Sequence, residues 1–334
     1  MGLVAITHAR PLGRIPAAAL HTIPEDLDLA TGPEHRLRRR RPRVFAHRGA
    51  SGLFPEHSRA AYMRAIAEGA DGLEIDLHLS RDGEAICLHD PTVNRTSNGH
   101  GAVADMTLSQ LRALDVVSWK TPRLPAHYGS TSQQLMTLQD TLELLVDAGR
   151  DIGLAVEFKH PSPYGNRLEE RALQVLLSFG WDPETSTIPA GDQGQYRVYV
   201  SFMSFYPGSL RYLAETVSTE ALCALFTTVT ESHVTKRIHH LRFSAALRPV
   251  VAAVMRGTVK DSESMVWNRQ AGLAGPSVEY SLEHKAEIKA WVARGTRLRV
   301  WTVDSVSDAQ ALVELGVQEL TTNYPARILR TVAA

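Results

Sequence analysis

The sequence predicts an α/β protein built as a single (β/α)8 barrel. From residue 44 onward, short apolar runs typical of strands alternate with stretches of helical periodicity, about eight times in all. Several of these runs end in histidine or charged side chains, which is where barrel enzymes place their chemistry. A doubly wound open sheet is the alternative, but no Gly-x-Gly-x-x-Gly motif follows the first run, which counts against a dinucleotide site.

The first half of the barrel is predicted from four patterns. Residues 44–46 form an apolar run that ends at His47, and residues 56–68 have helical spacing. Residues 73–79 alternate as a strand does, and 84–88 can pair with them across an Asp-Gly turn. Residues 90–135 are rich in Gly, Ser, Thr and Pro, with one helix-like piece at 108–114. We therefore expect a small insertion after the second strand.

The second half repeats the same alternation, with one exception. Segment 228–270 fits neither a helical nor a strand period, and its structure is left open. The remaining strands are expected at 151–159, 197–202, 221–226, 272–278, 298–303 and 317–322, and helices at 138–148, 168–179, 284–294 and 307–315.

Composition excludes some classes of function. The chain has 334 residues, 44% of them hydrophobic, and 36 basic against 36 acidic side chains. A net charge of zero gives no global field for nucleic acid, so no nucleic-acid partner is predicted. No apolar stretch is long enough for a transmembrane helix. The N-terminus lacks the basic start and apolar stretch of a secretory leader, so a cytoplasmic location is expected.

Residues 1–42 are expected to be an N-terminal extension that precedes a barrel domain at 43–334. The extension is proline-containing and leads into a basic run at 36–43, which has six arginines. Such a run is either a solvated basic segment or a weak peripheral contact with an anionic membrane surface.

Three carboxylates have the spacing of a shared site. Glu74 and Asp76 are two residues apart on a predicted strand, so they point to one face. Glu157 and Lys159 repeat that spacing on another predicted strand. If one barrel contains both strands, the three carboxylates converge, and an all-oxygen set favours Ca²⁺ or Mg²⁺ over Zn²⁺. The alternative is a structural network in which Glu74 pairs with Lys159 or Arg48.

Two histidines are placed for proton transfer. His47 and His89 each follow an apolar run and each has a charged neighbour, Arg48 or Asp90. Histidine exchanges protons near neutral pH, so such a pair can act as general base and general acid.

Other residues at predicted strand ends would complete a phosphate pocket. Arg48 and Lys159 supply fixed positive charge, which with a divalent ion suits a phosphate group. Trp301 either walls the pocket or belongs to the core. Asn323 follows the last strand and either orients the substrate or caps a turn.

At these residues the sequence resembles the glycerophosphodiester phosphodiesterase family, over essentially all of 43–330. That family has a (β/α)8 barrel with a small insertion after the second strand. The matching pieces, in order, are His47-Arg48-Gly49, Pro55-Glu56, residues 69–76, Asp82-Gly83, His89-Asp90, Arg95-Thr96, Glu157-Phe158-Lys159, Ser204-Phe205, residues 301–303 and Thr322-Asn323.

The resemblance implies hydrolysis of a glycerophosphodiester to glycerol 3-phosphate and an alcohol. His47 and His89 match the family's acid and base, and Glu74, Asp76 and Glu157 match its ligands for Ca²⁺ or Mg²⁺. In the family the substrate's own 2-hydroxyl is thought to attack phosphorus, which gives a cyclic phosphodiester that water opens. Two alternatives are a lysophospholipase D acting on lysophospholipids and a non-catalytic barrel that binds phosphodiesters.

The resemblance also implies how substrate is held, and it has one departure. Arg48 and Lys159 match phosphate-binding positions, and Glu56 matches a position near the metal and the first histidine. The family usually has Asn-Thr after that glutamate, whereas this chain has His57-Ser58. His57 is bulkier than asparagine and can titrate, so it is expected to alter the first loop.

Overall fold

The structure is a computed structural model that describes residues 41–121, 123–240 and 243–333. The predicted extension therefore lies outside the described residues, except for its last two. Two arginines of the basic run are described, and both face carboxylates of this chain. Arg41 lies 2.6 Å from Asp71, and Arg43 lies 3.5 Å from Glu319.

Eight parallel strands close into a barrel. Neighbouring strands follow the order β1-β2-β4-β6-β7-β8-β9-β10, and β10 pairs back onto β1. β3 and β5 lie outside this ring, antiparallel to β2 and β6. The predicted (β/α)8 barrel is confirmed, and the open-sheet alternative is wrong. The strands are β1 (Arg43–His47), β2 (Gly72–Leu79), β3 (Ala85–Cys87), β4 (Ile152–Phe158), β5 (Thr187–Ala190), β6 (Tyr196–Ser204), β7 (Leu222–Phe226), β8 (Leu273–Pro276), β9 (Arg297–Val300) and β10 (Glu319–Thr322).

Helices follow most strands and cover the barrel. Among the residues that the structure describes, no helix combines the length and apolarity needed to cross a bilayer. The helices are α1 (Arg59–Ala67), α2 (Leu108–Arg112), α3 (Leu138–Val146), α4 (Arg167–Ser178), α5 (Pro207–Leu213), α6 (Glu231–His240), α7 (Arg248–Trp267), α8 (Val278–Glu283), α9 (Lys285–Ala293), α10 (Val306–Glu314) and α11 (Pro325–Ala333).

The first helix begins later than its periodicity predicts. Residues 56–68 were expected to be helical, but α1 starts at Arg59. Ser58 has extended backbone and its side chain accepts a hydrogen bond from the Ala61 amide, which makes it the N-cap. His57 has a φ of 56°, in the left-handed region, so it cannot belong to the helix.

The insertion after the second barrel strand has a small core of its own. Between β3 and α3 the chain forms α2 and short 3₁₀ turns. Its apolar side chains pack against Ile86 and Leu88, apart from the main core. The members contributed by the insertion are Val93, Val103, Leu111, Val116, Val117 and Leu135.

Most of the described part of segment 228–270, which has no clear period, is helical. It contains α6, a 3₁₀ turn and the 20-residue α7. The second half of α7 contributes Met265 and Val266 to the main core. Its first half packs with α6 in a separate cluster, so its apolar residues do not follow a single stripe.

Candidate active site

The residues expected to carry chemistry come from neighbouring strands of the barrel. His47 is the last residue of β1, and Glu74 and Asp76 lie on β2. The strand register sets His47 beside Glu74, and Asp76 beside Glu157 of β4. Because paired strands lie about 4.8 Å apart, inward side chains at these positions meet inside the barrel.

Glu74, Asp76 and Glu157 form a buried carboxylate cluster. One oxygen from each lies within 4.8 Å of the others. Their relative exposures are 1%, 0% and 6%, so water does not offset their mutual repulsion. Three buried oxygen donors at this spacing are the type of ligand set that hard cations prefer, so the cluster fits a divalent metal site.

Two side-chain cations lie against this cluster. Lys159 Nζ is 2.8 Å from Asp76 Oδ1 and 2.5 Å from Glu157 Oε1. Arg48 Nε is 3.1 Å from Asp76 Oδ2. The structural-network alternative is thus partly realised, although Glu74 is bound by the Arg48 backbone amide rather than by a charged side chain. Lys159 is close to Asp76 Oδ1 but is not aligned as a hydrogen-bond donor, and this oxygen has no hydrogen-bond partner among the described residues.

The pKa values of two of the three carboxyl groups are raised, so Lys159 and Arg48 do not fully offset the burial and mutual repulsion of the cluster. Burial, reinforced by the charges of Asp76 and Glu157, raises the pKa of Glu74 well above its ordinary value. Burial also raises the pKa of Glu157, to about 7. It would do the same to Asp76, but Lys159 and Arg48 hold the pKa of Asp76 well below its usual range. A bound divalent cation would favour the ionised form of all three.

A chain of hydrogen bonds fixes the tautomer of His47. His47 Nδ1 lies 2.8 Å from Asn323 Oδ1, and Asn323 Nδ2 donates to Asp304 Oδ2 at 2.6 Å. Since the Asn323 amide nitrogen is engaged by Asp304, its oxygen must face His47 and accept from Nδ1–H. Nε2 is then the free acceptor of the ring. Burial and the neighbouring Arg48 lower the pKa of His47 to about 3, so the ring is neutral at pH 7.

His89 is held by a carboxylate instead of an amide. Its Nδ1 lies 2.7 Å from Asp90 Oδ1, and Arg95 Nε donates to Asp90 Oδ2 at 2.7 Å. Burial lowers the pKa of His89, while Asp90 acts in the opposite direction. The carboxylate stabilises the protonated ring, so His89 is better placed than His47 to donate a proton.

Glu56 connects two arginines. Its carboxylate accepts from Arg48 at 2.9 Å and from Arg95 at 2.8 and 2.7 Å. Burial would raise the pKa of Glu56, but these two guanidinium groups lower it to about 2. Glu56 is not among the described side chains that line the cleft. Its contacts indicate that it orients Arg48, and a direct contact with substrate stays a prediction.

His57 is buried against Asp76 of the carboxylate cluster. It is 3% exposed, with Nε2 2.8 Å from Asp76 Oδ2 and Nδ1 2.8 Å from the Tyr62 hydroxyl. The carboxylate can only accept, so Nε2 carries the proton and Nδ1 accepts from Tyr62. The His57 ring therefore orients Asp76. The backbone of His57 is in the left-handed region, which asparagine also adopts readily.

One cleft brings these groups together. Its polar wall comprises His47, Arg48, Glu74, His89, Glu157 and Lys159, and its apolar wall comprises Met203, Phe205, Leu225 and Trp301. The Trp301 ring meets Phe205 edge to face at 5.3 Å, and its Nε1 donates to the Gly275 carbonyl at 2.8 Å. Trp301 is thus part of the cleft wall rather than of the buried core.

Sequence reasoning missed Asp304 and left the role of Asn323 open. Asp304 comes directly after the apolar run 298–303, just as His47 comes directly after 44–46. The pattern that identifies His47, a polar residue directly after a predicted strand, is therefore also present at Asp304. The link from Asp304 through Asn323 to His47 depends on the closure of β10 onto β1, which only the fold reveals.

The chain matches a known family over most of its length. The model of the glycerophosphoryl diester phosphodiesterase family matches residues 47–327. A Mycobacterium tuberculosis protein named "Probable glycerophosphodiester phosphodiesterase 1" is 34% identical over 287 residues, which are 86% of this chain and 90% of that protein. A Bacillus subtilis glycerophosphodiester phosphodiesterase is 27% identical over 283 residues, 84% of this chain and 83% of that protein.

Solved structures share the fold. A phosphodiesterase from Oleispira antarctica, in complex with the product sn-glycerol-3-phosphate, has a TM-score of 0.63 at 22% identity and covers 88% of this chain and 98% of that chain. A glycerophosphodiester phosphodiesterase from Thermotoga maritima has a TM-score of 0.58 at 17% identity, with 87% and 98% covered. Such identities support a common barrel only. The family match and the mycobacterial relative show that the chain belongs to the glycerophosphoryl diester phosphodiesterase family, and hence to the phosphoric diester hydrolases.

Proposed function

We propose that this chain hydrolyses glycerophosphodiesters to glycerol 3-phosphate and an alcohol, with His47 and His89 as the proton-transfer pair. The observation that carries the proposal is that both histidines line one cleft with Glu74 and Glu157, two of the three carboxylates that form the buried cluster. Family membership supplies the substrate class, and the cleft supplies the groups that the reaction needs.

The hydrogen bonds of the two rings support separate roles. His47 has a free Nε2 and is neutral, so it takes the proton of the glycerol 2-hydroxyl as that oxygen attacks phosphorus. The bond from phosphorus to the alcohol breaks, and His89 gives its proton to the departing oxygen. The product of this step is a cyclic phosphodiester. In the second step the roles reverse: His89 takes a proton from water, which adds to phosphorus. The bond from phosphorus to the 2-oxygen breaks, and His47 returns a proton to that oxygen.

The remaining polar groups bind the phosphate. Glu74, Asp76 and Glu157 would hold Ca²⁺ or Mg²⁺, which when bound offsets the negative charge of the phosphate oxygens. We assign the Arg48 guanidinium and the Lys159 ammonium to those same oxygens, since both line the cleft.

The rest of the cleft positions the substrate. Trp301 forms the wall against which the organic part of the substrate packs. Glu56 holds Arg48 in place through its 2.9 Å hydrogen bond.

Lysophospholipids are a second candidate substrate because one wall of the cleft is apolar. Met203, Phe205, Leu225 and Trp301 come from the ends of β6, β7 and β9 and could receive the start of an acyl chain. None of the described residues of segment 228–270 lines the cleft.

A substrate panel tests the proposal. The purified chain is assayed with glycerophosphocholine, glycerophosphoethanolamine and lysophosphatidylcholine, each with Ca²⁺, Mg²⁺ or chelator, and glycerol 3-phosphate is measured by an enzyme-coupled assay. We expect metal-dependent release of glycerol 3-phosphate from the first two. Lysophosphatidic acid formed from lysophosphatidylcholine at a higher rate would favour the second candidate. No turnover of any diester with either metal would leave a non-catalytic barrel.

A further inference from the structure

The first half of α7 exposes an apolar face to solvent. Val250 is 58% exposed and Val254 is 63% exposed. Ala253 and Gly257 are exposed as well, and these four positions have the spacing i, i+3, i+4, i+7 of a single helix face. Such a face normally packs against a core. Just before the helix, Phe243 and Leu247 are also exposed, at 46% and 41%. We call Phe243, Leu247, Val250 and Val254 the hairpin surface.

The opposite face of α7 is already packed. Val251 and Ala252 are buried against Val234 and Ile238 of α6, in a cluster separate from the barrel core. The helical hairpin α6–α7 therefore has a small core of its own. The hairpin surface is thus a second apolar face, and no described residue buries it.

The hairpin stands at the catalytic end of the barrel. β7 ends at Phe226, and the chain enters α6 five residues later, at Glu231. The neighbouring residue Leu225 lines the active-site cleft. In a parallel barrel all loops that follow strands lie on one rim, so the hairpin rises from the rim that carries the cleft.

The segment that carries the hairpin surface is basic between an acidic residue at each end. Between Glu231 and Asp261 the sequence has six Lys or Arg and no Asp or Glu, in a chain whose net charge is zero. Arg248 is paired with Glu231 at 2.9 Å. Four further cations of this segment are exposed and form no ion pair within the described residues: Lys236, Arg237, Arg256 and Lys260.

We propose that the hairpin surface docks onto an anionic lipid bilayer. Its apolar side chains would enter the boundary between head groups and acyl chains, and the surrounding Lys and Arg would face lipid phosphates. A second copy of the chain is a poorer occupant, because two such surfaces would bring like charges together. The proposal does not depend on the catalytic assignment of the cleft.

Vesicle flotation with the full chain tests this. Wild type is mixed with phosphatidylcholine vesicles with or without phosphatidylglycerol, at low and high salt. We expect binding only to the anionic vesicles, weakened by salt. Replacing both Val250 and Val254 by serine should reduce the partition coefficient about 10-fold. Leu177→Ser is the matched control, since Leu177 is 54% exposed on α4 and should not affect binding.

A second variant and two further readouts keep the test decisive. Lys236→Glu with Arg237→Glu should also weaken binding to anionic vesicles, while turnover of water-soluble glycerophosphocholine and the melting temperature stay unchanged in every variant. Wild type that does not float would overturn the proposal. So would a double serine variant that floats as well as wild type, which would assign binding to the basic run 36–43. A dimer in sedimentation velocity that the serine variant dissociates would identify a self-interface instead.

Discussion

His57 Nε2 donates a hydrogen bond to Asp76 Oδ2 over 2.8 Å, in a site where both side chains are buried. The contact places an imidazole beside Asp76 at the position where the resemblance to the family predicts asparagine. This hydrogen bond orients one oxygen of Asp76, while the Tyr62 hydroxyl donates to Nδ1, the other nitrogen of the His57 ring. Residues that orient a metal ligand in this way affect metal affinity without touching the metal.

His57→Ala should weaken divalent-cation binding by about 10- to 100-fold, because Asp76 would lose its best-aligned hydrogen-bond donor. Isothermal titration of Ca²⁺ and Mg²⁺ measures this directly. Tyr62→Phe is the matched variant: it keeps the contact with Asp76 and removes only the support behind the ring, so its loss should be smaller. Affinity within two-fold of wild type in His57→Ala would assign His57 to packing alone.

Chelation should lower the melting temperature of the wild-type protein, since a bound cation relieves repulsion among Glu74, Asp76 and Glu157. Glu157→Gln should abolish most of the rise in melting temperature produced by added Ca²⁺ or Mg²⁺. Glu319→Gln is the control, because Glu319 is equally buried but pairs with Arg299 at 2.6 Å, away from the carboxylate cluster. An unchanged metal response in Glu157→Gln would remove Glu157 from the metal site.

In chelator, the contribution of His47 to stability should decrease as the pH falls, whereas the raised pKa values of Glu74 and Glu157 make those two groups contribute in the opposite direction. The fold lowers the pKa of His47 from 6.5 to about 3, so the unfolded chain binds more protons between these values. The stabilisation is complete above pH 6.5 and is lost as pH falls toward 3, by at most about 1.4 kcal/mol per pH unit. Burial lowers the pKa of His57 too, with the same sign.

The measurement is the melting temperature between about pH 7 and about pH 5. As the pH falls over this range, the melting temperature should decrease less in His47→Gln than in wild type, because the glutamine side chain does not titrate. His239→Gln, which replaces an exposed histidine, should keep the wild-type drop. An identical pH dependence in His47→Gln would show that His47 does not carry the effect.

Asp304→Asn should reduce kcat about 10-fold and leave KM unchanged. The substituted amide no longer forces the Asn323 nitrogen away from His47, so Asn323 can turn and the required tautomer is no longer fixed. Steady-state kinetics over a range of pH separate this positioning role from a structural one, which would lower the melting temperature instead. Asp308→Asn, in the same region, should have wild-type kinetics. Equal kcat in Asp304→Asn would contradict the positioning role.

The sequence predicts which residues meet in the cleft more reliably than it predicts their hydrogen-bond partners. The short runs before His47 and His89, and the position of Glu74 on a predicted strand, identify three side chains that the structure brings to one cleft. The spacing cannot show that Glu56 accepts hydrogen bonds from Arg48 and Arg95, since that depends on the loop after β1 meeting the insertion after β3. The expected cytoplasmic location stays a prediction.

The errors in the fold have local causes. The start of α1 was placed too early because a left-handed His57 and a capping Ser58 override the periodicity around them. Segment 228–270 gave no period because α7 is apolar on two faces, one packed and one exposed. A pattern with two apolar faces matches neither an amphipathic helix nor a strand.

The most direct test is the turnover of glycerophosphocholine by His47→Ala and His89→Ala, with saturating Ca²⁺ or Mg²⁺. Removing a general acid or base costs about 100- to 10,000-fold, so each variant should lose at least 100-fold in kcat. Each should still show a metal-induced rise in melting temperature, because neither histidine is one of the three carboxylates. Turnover near the wild-type rate in either variant would contradict the proposed proton-transfer pair.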